Sequence, residues 1–223
     1  MPASGQETEA KFYVRDLKRI KSRLEELDAQ LIQERVLETN TRFDLPGARL
    51  RAEGRVLRLR RDTDVRLTYK SASKREDGVL SREEIEFVVE DFEKAKRFLE
   101  ALGYQKLFYY EKFRTTYALQ PSEGFVLSHA VMGAKPSEDS IYVMLDELPY
   151  GNFVEIEGAT VTSIRALARQ LNLNWEAAIA TSYSALFERA RKSLNLPFHD
   201  LSFAEFRDIG VDALHLGVRA ADA

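Results

Sequence analysis

An α+β fold, with helices flanking a largely antiparallel sheet, is predicted by three features of this sequence. Eight or nine short runs alternate apolar and charged side chains with a period of two. Amphipathic stretches at helical spacing lie between and after them. The connectors are short and rich in turn residues, which favours antiparallel neighbours. With 223 residues, 44% of them apolar, the chain is long enough for a sizeable core.

The first strand-like run covers residues 6–13, and Leu17, Ile20, Leu24 and Leu27 then recur at helical spacing within 16–29. Further strand-like runs follow at 38–45, 55–61, 65–70 and 81–90. Pro46-Gly47, Glu53-Gly54 and Asp77-Gly78 supply turn chemistry between them. A second helix is expected at 91–102, where Phe92, Ala95, Leu99 and Leu102 share a face and Gly103 ends the pattern. Strands are expected again at 107–119, 124–130, 141–148 and 152–157, separated by Glu123-Gly124, by 134–139 with its Pro136, and by 149–151. From Val161 the period returns to helical: Val161, Ile164, Leu167 and Leu171 mark one helix. Trp175, Ile179, Tyr183, Phe187 and Ala190 mark the next, with Asn174 as its N-cap. Residues 1–196 are expected to form one domain. Residues 197–223 form a tail, either disordered or docked on the domain or on a dimer partner, since Phe198, Leu201, Phe203, Phe206, Ile209 and Leu214 are too apolar for a purely solvated segment.

Composition excludes several classes. The 33 Lys and Arg nearly balance 36 Asp and Glu, so no strong overall field draws the chain to nucleic acid or an anionic membrane. With no cysteine there is no disulfide framework, zinc-thiolate site or thiol nucleophile. The three histidines, His129, His199 and His215, argue against a His-rich metal centre. The opening MPASGQETEAKFYV has neither a basic n-region nor an apolar h-region, and no stretch approaches 18 apolar residues, so a cytoplasmic protein is expected.

Successive side chains on a strand point to opposite faces, which lets each strand be read for its two sides. Glu7, Glu9 and Lys11 share a face in the first. Arg58 and Arg60 lie opposite Leu57 and Leu59, and the next strand ends in Lys70. Arg82, Glu84 and Glu86 oppose Ile85 and Phe87, while Lys112 and Arg114 oppose Phe113. Asp146 opposes Val143 and Leu145, and Glu155 and Glu157 oppose Val154 and Ile156. One face thus carries seven acids and seven bases. Alternation alone fits a sheet with that face in water. The bunching into Glu-x-Glu-x-Lys, Arg-x-Glu-x-Glu and Glu-x-Glu fits something else, because carboxylates two apart on a strand, about 7 Å along it, can share hard cations.

These residues resemble the CYTH family, the triphosphate tunnel metalloenzymes, which include class IV adenylyl cyclases and thiamine and inorganic triphosphatases. Glu7-Thr8-Glu9-Ala10-Lys11 matches the family's ExExK signature in the first strand. It is followed in order by Phe43-Asp44, Leu57-Arg58-Leu59-Arg60, Leu67-Thr68-Tyr69-Lys70, Ser81-Arg82-Glu83-Glu84-Ile85-Glu86, Lys112-Phe113-Arg114, Leu145-Asp146 and Phe153-Val154-Glu155-Ile156-Glu157. The resemblance spans roughly residues 5–192, includes Ser182-Tyr183, and is nearest the class IV cyclase-like branch. The stretch from Phe125 to Ser140 is longer than the usual connection, a lid or a loop.

The resemblance implies an eight-stranded antiparallel β-barrel, a tunnel with the charged face inward and flanking α-helices outside. It implies Mg²⁺ or Mn²⁺ held by Glu7, Glu9, Glu155 and Glu157 with Asp146, Glu84 and Glu86. Lys11, Arg58, Arg60, Lys70 and Arg114, with Arg82 and Lys112, would then bind a triphosphate such as ATP, inorganic triphosphate or thiamine triphosphate. Lys11, Glu9 and Arg58 are the expected catalytic members. Two reactions remain open: cyclisation of ATP to cyclic AMP and pyrophosphate, and hydrolysis of a triphosphate. A non-catalytic polyphosphate or nucleotide sensor is the alternative. Tyr109, Tyr110 and Phe113, like Trp175, Tyr183 and Phe187, are expected to be packing residues.

Overall fold

The computed structural model describes residues 6–76, 79–120 and 140–223. The turn expected at Asp77-Gly78, the strand expected at 124–130, His129 and the turns at 123–124 and 134–139 lie outside the described residues.

Among the described residues nine strands form one antiparallel sheet: β1 (Gln6–Val14), β2 (Gln30–Asp44), β3 (Val56–Arg61), β4 (Val65–Lys70), β5 (Lys74–Glu76), β6 (Val79–Val88), β7 (Gln105–Leu119), β8 (Ile141–Leu148) and β9 (Gly151–Glu157). Their order is β1-β9-β8-β7-β2-β3-β4-β6, and β1 also pairs with β6, so eight strands close into a barrel. Three-residue β5 extends only the edge of β6. Closure removes the exposed sheet edges and gives each strand an inner and an outer face.

The outer face carries the apolar residues. Phe12, Val14, Val143, Leu145, Val154 and Ile156 pack against α1 (Leu17–Glu26) and α4 (Val161–Gln170). Asp16 and Thr160 cap these helices by accepting from first-turn backbone N–H groups. On the other side Phe43, Leu57 and Leu59 pack against the short α2 (Arg49–Ala52) and α3 (Phe92–Ala101). Asp44 accepts from the backbone N–H of Leu50 at 2.8 Å and of Arg51 at 2.9 Å, so it holds α2 rather than facing the interior.

Two expectations are corrected. β2 begins at Gln30, eight residues before the run expected at 38, because bulges between Leu31 and Gln33 and between Gln33 and Val36 erase the alternation there. The helix expected from Trp175 through Ala190 is broken. Trp175–Ala177 is a single 3₁₀ turn capped by Asn174, and α5 (Tyr183–Ser193) starts afresh at the Ser182 cap. Between them the backbone turns to β1, with the Ile179 N–H donating to the Lys11 carbonyl at 2.8 Å.

Helix α5 covers one end of the barrel. Tyr110 and Phe153 share inner faces with Lys112 and Glu155, and they are buried in one cluster with Tyr183, Leu186 and Phe187 of α5. Leu201, Phe206 and Leu216, the last in the short α6 (Ala213–Leu216), join that cluster. Leu201 exchanges backbone hydrogen bonds of 2.9 Å with Tyr109 and Glu111, and Asp222 accepts from the N–H groups of Arg15 and Asp16. Residues 197–223 are therefore packed on the barrel along much of their length. No helix among the described residues is long and apolar enough to cross a membrane.

Candidate active site

Thirteen of the fourteen charged residues picked out by strand alternation line one interior cavity of about 500 Å³. The exception is Asp146, which is fully buried behind it. The charged face is thus inside the barrel, not in water, and the alternation is that of a filled interior.

One wall is fully paired. Asp146 accepts from Lys112 Nζ at 3.0 Å, from Arg114 Nε and Nη2 at 2.6 Å, and from the Tyr183 hydroxyl at 2.8 Å. Glu155 binds Lys11 Nζ at 2.9 Å and also Arg114. Glu38 takes Lys112 at 3.4 Å and Arg60 at 3.7 Å, and accepts from the Asn40 amide at 2.9 Å. The ammonium groups of Lys11 and Lys112 also lie 4.5 and 5.3 Å from the centre of the Tyr183 ring. Burial works against the charges of Glu155 and Arg114, but their partners outweigh it. Lys11, Lys112 and Arg114 hold Glu155 well below the usual carboxylate range, and Asp146 and Glu155 hold Arg114 well above its ordinary value.

A second region has surplus acid. Glu9 and Glu157 are direct cross-strand partners, and Glu7 and Glu84 lie close by. Glu7 is well compensated: although burial opposes its charge, Lys70 and Arg82, the latter at 2.8 Å, hold it down at about 2. Glu84 shares Lys70 at 3.0 Å, and Glu9 has Lys11 at 3.7 Å. Glu157 makes no ion pair among the described residues, and burial, then Glu7 and Glu9, push it up to about 8. Burial is also the main reason Glu9 and Glu84 are raised. Among the described residues no three carboxylates are already drawn together as a cage. The donor set still fits a hard divalent cation, because Glu9, Glu157 and Glu84 offer only oxygen, and the two lysines they share with other acids do not offset their burial.

A third region has surplus base. Arg58 reaches only distant partners, the Tyr110 hydroxyl and Thr68 Oγ1 at 3.4 Å and Glu86 at 3.6 Å. Glu86 is shared with Arg60 at 3.1 Å and accepts from Thr68 at 2.8 Å. Arg42 donates to Ser184 Oγ at 2.8 Å. The Nε atoms of Arg42 and Arg58 are buried without acceptors, while Arg60 Nε lies 3.4 Å from Asp62. Counted over its whole lining, the cavity has eleven Lys and Arg against eight Asp and Glu, which suits a polyanion.

Strand reading missed Glu38, Arg42 and Tyr183. Glu38, Asn40 and Arg42 share the inner face of β2 with the period of two, and that spacing was the available signal. Tyr183, expected as a core residue, is buried, but its hydroxyl and its ring both face the charged wall. Tyr110 is stacked on Phe108 and also lines the cavity. Phe113 lies on the outer face against Phe203, with the Arg35 guanidinium 3.5 Å from its ring centre.

A family profile described as the CYTH domain matches residues 5–176. A search of curated proteins finds no match. Among solved structures, a candidate adenylate cyclase from Vibrio parahaemolyticus superposes with a TM-score of 0.65 at 18% identity, over 83% of this chain and 99% of that one. The PH1012 protein of Pyrococcus horikoshii gives 0.60 at 23% identity, over 79% and 96%. A candidate adenylyl cyclase from Hippeastrum, described as having a dominant triphosphatase activity, gives 0.54 at 17% identity, over 82% and 95%.

Proposed function

The chain belongs to the CYTH domain family, and on that premise we propose that it is a divalent-metal-dependent enzyme that hydrolyses a triphosphate held inside the barrel. The observation that carries this reading is the split of one interior into a region with surplus carboxylate and a region with surplus guanidinium. An anion-binding sensor needs the second region but has no use for the first.

Glu9 and Glu157, with Glu84, would hold Mg²⁺ or Mn²⁺, while Glu7 stays bound to Lys70 and Arg82. The ion would polarise phosphoryl oxygens and lower the pKa of bound water. Glu155 is committed to Lys11 and Arg114, Glu86 to Arg60 and Thr68, and Asp146 to the wall, so these three act as partners of the cations. Arg58, Arg60 and Lys70, with Arg82, grip phosphate oxygens. Lys11, Lys112 and Arg114 add a fixed positive wall on which charge developing during phosphoryl transfer is stabilised without reorganisation. The burial of that wall keeps its field strong, since water cannot screen it.

Hydrolysis is preferred over cyclisation for a structural reason. A cyclase must hold a nucleoside so that the ribose 3′ oxygen is in line with the α-phosphorus. Of the three aromatic side chains lining the cavity, Tyr110, Tyr142 and Tyr183, two are engaged elsewhere: Tyr110 stacks on Phe108, and Tyr183 lies beneath two lysines. Hydrolysis needs only the phosphate grip and an oriented water. The triphosphatase activity described for the Hippeastrum protein supports the same choice.

The test is product analysis. Purified protein is incubated with inorganic tripolyphosphate, thiamine triphosphate and ATP in Mg²⁺ or Mn²⁺, and again in excess EDTA. Orthophosphate release that EDTA abolishes is expected. Cyclic AMP with pyrophosphate from ATP makes the chain a cyclase, full activity in EDTA removes the metal, and no turnover of any triphosphate leaves a binding module.

A further inference from the structure

We propose that Arg42, with Arg58 and Ser184, seats the terminal phosphoryl group of the triphosphate, so that the chain lies with its free end against α5. This inference rests on the triphosphate reading above and adds the orientation of the substrate.

Four observations carry it. Arg42 forms no ion pair among the described residues, although it projects into a cavity where Lys11, Arg60, Lys70, Arg82, Lys112 and Arg114 each have a carboxylate within 4 Å. Its register partner on β3 is another arginine, Arg58, and like charges directly opposite on a sheet repel. Arg51 and Arg82 add further positive charge nearby. The Nε atoms of both Arg42 and Arg58 are buried with no acceptor, which folding does not favour in a ligand-free protein.

The location decides which phosphoryl group fits. Thr181–Ala185, the start of α5, forms the cavity wall beside Arg42, and Ser184 Oγ is already its hydrogen-bond partner. Tyr183 ties that turn to Asp146, and its ring packs on Phe153, so the wall is anchored. A chain that reaches this wall ends there. An internal phosphoryl group carries one negative charge and two free oxygens. A terminal one carries up to two charges and three oxygens, the better match for a pair of loosely held guanidinium groups and a hydroxyl.

The experiment uses the full chain. Inorganic tripolyphosphate is titrated calorimetrically in EDTA into the wild type, Arg42→Gln and Arg42→Lys, and ATP is compared with ATP methylated on its terminal phosphoryl group. Arg42→Gln should weaken tripolyphosphate binding about 10- to 100-fold, the scale of a charged hydrogen bond, and Arg42→Lys should recover part of it. The wild type should prefer ATP to the methyl ester about tenfold or more, and the Gln variant should lose that preference. The ligand-free thermal midpoint of Arg42→Gln should hold or rise, because one of several crowded cations is gone. Unchanged tripolyphosphate binding, or an ester preference that survives in Arg42→Gln, overturns the seat. A wild type that binds tripolyphosphate neither in EDTA nor with Mg²⁺ present overturns the triphosphate reading itself, so the two failures are distinct.

Discussion

The wall built from Lys11, Lys112 and Arg114 on Glu38, Asp146 and Glu155 differs from two corners of the same interior in how its charges are paired. All three sit on alternate residues of neighbouring strands, and all are largely buried. In the wall every charge meets an opposite charge, and Asp146 has four donated hydrogen bonds. Around Glu9 and Glu157, and around Arg42 and Arg58, charges of one sign face each other. Buried charge is tolerable when paired and costs several kcal/mol when not. The paired region is thus part of the frame, and the unpaired regions mark where the fold leaves compensation to a ligand.

The largest test of this contrast is Asp146→Ala. It leaves Lys112 and Arg114 without their best acceptor and should cost about 3–5 kcal/mol of stability in urea unfolding; a loss under about 1 kcal/mol would erase the distinction between wall and corners. Next, Glu9→Gln should lower turnover of tripolyphosphate at least about a hundredfold while the thermal midpoint of metal-free protein holds or rises, because a site shaped for a cation loses a ligand and the fold loses a repulsion. Full activity in that variant takes Glu9 out of the metal set. Arg58→Ala should weaken tripolyphosphate binding by about 1.5–3 kcal/mol with little change in ligand-free stability, read by calorimetry and thermal melts. The reverse pattern returns Arg58 to the frame.

The smallest effect is a dependence on pH. Glu157 ionises near 8 in the folded protein against 4.5 for an unperturbed glutamate, so between these values the folded state keeps a proton that the unfolded chain releases. Metal-free protein should therefore lose stability from this group as pH rises from about 5 to 8. Glu157→Gln should flatten the slope by about 1–2 kcal/mol, allowing for partial solvent access. Glu7, held at about 2, works in the opposite sense: its contribution is complete above the normal carboxylate range and is lost as pH falls toward 2. A metal-free stability profile that is flat from pH 5 to 8 and unaltered by Glu157→Gln would show that the Glu9–Glu157 region carries no surplus charge.

Much of this was legible along the chain because a barrel preserves the simplest code, alternation, over strands whose outer residues must be apolar. The series from Glu7-x-Glu9-x-Lys11 to Glu155-x-Glu157 could be read without knowing whether the charged side was wet or enclosed, and only closure of β1 on β6 decides that. Pairing was not legible. Asp146 and Glu157 are both acids on inner faces, yet three-dimensional neighbours make one a sealed acceptor and the other a carboxyl that keeps its proton to about 8. β2 hid Glu38 and Arg42 because Thr39 and Thr41 leave both of its faces polar at that point. Tyr183 repeats at core spacing on α5, and periodicity reports burial without reporting what a hydroxyl touches.

The way the barrel is sewn shut bears on how it is assembled. Strand β1 finds its two neighbours in residues 80–83 and 152–157, and Asp222 accepts the Arg15 N–H across 207 residues of sequence. Contacts of such long range impose loop-closure entropy before they return any stability, so folding should be slow and the early chain should wait. On a ribosome, Glu7, Glu9 and Lys11 would wait on a strand whose second edge stays uncovered until the residues up to Glu157 have emerged. The signature that opens the sequence would then be among the last parts of the site to take its place.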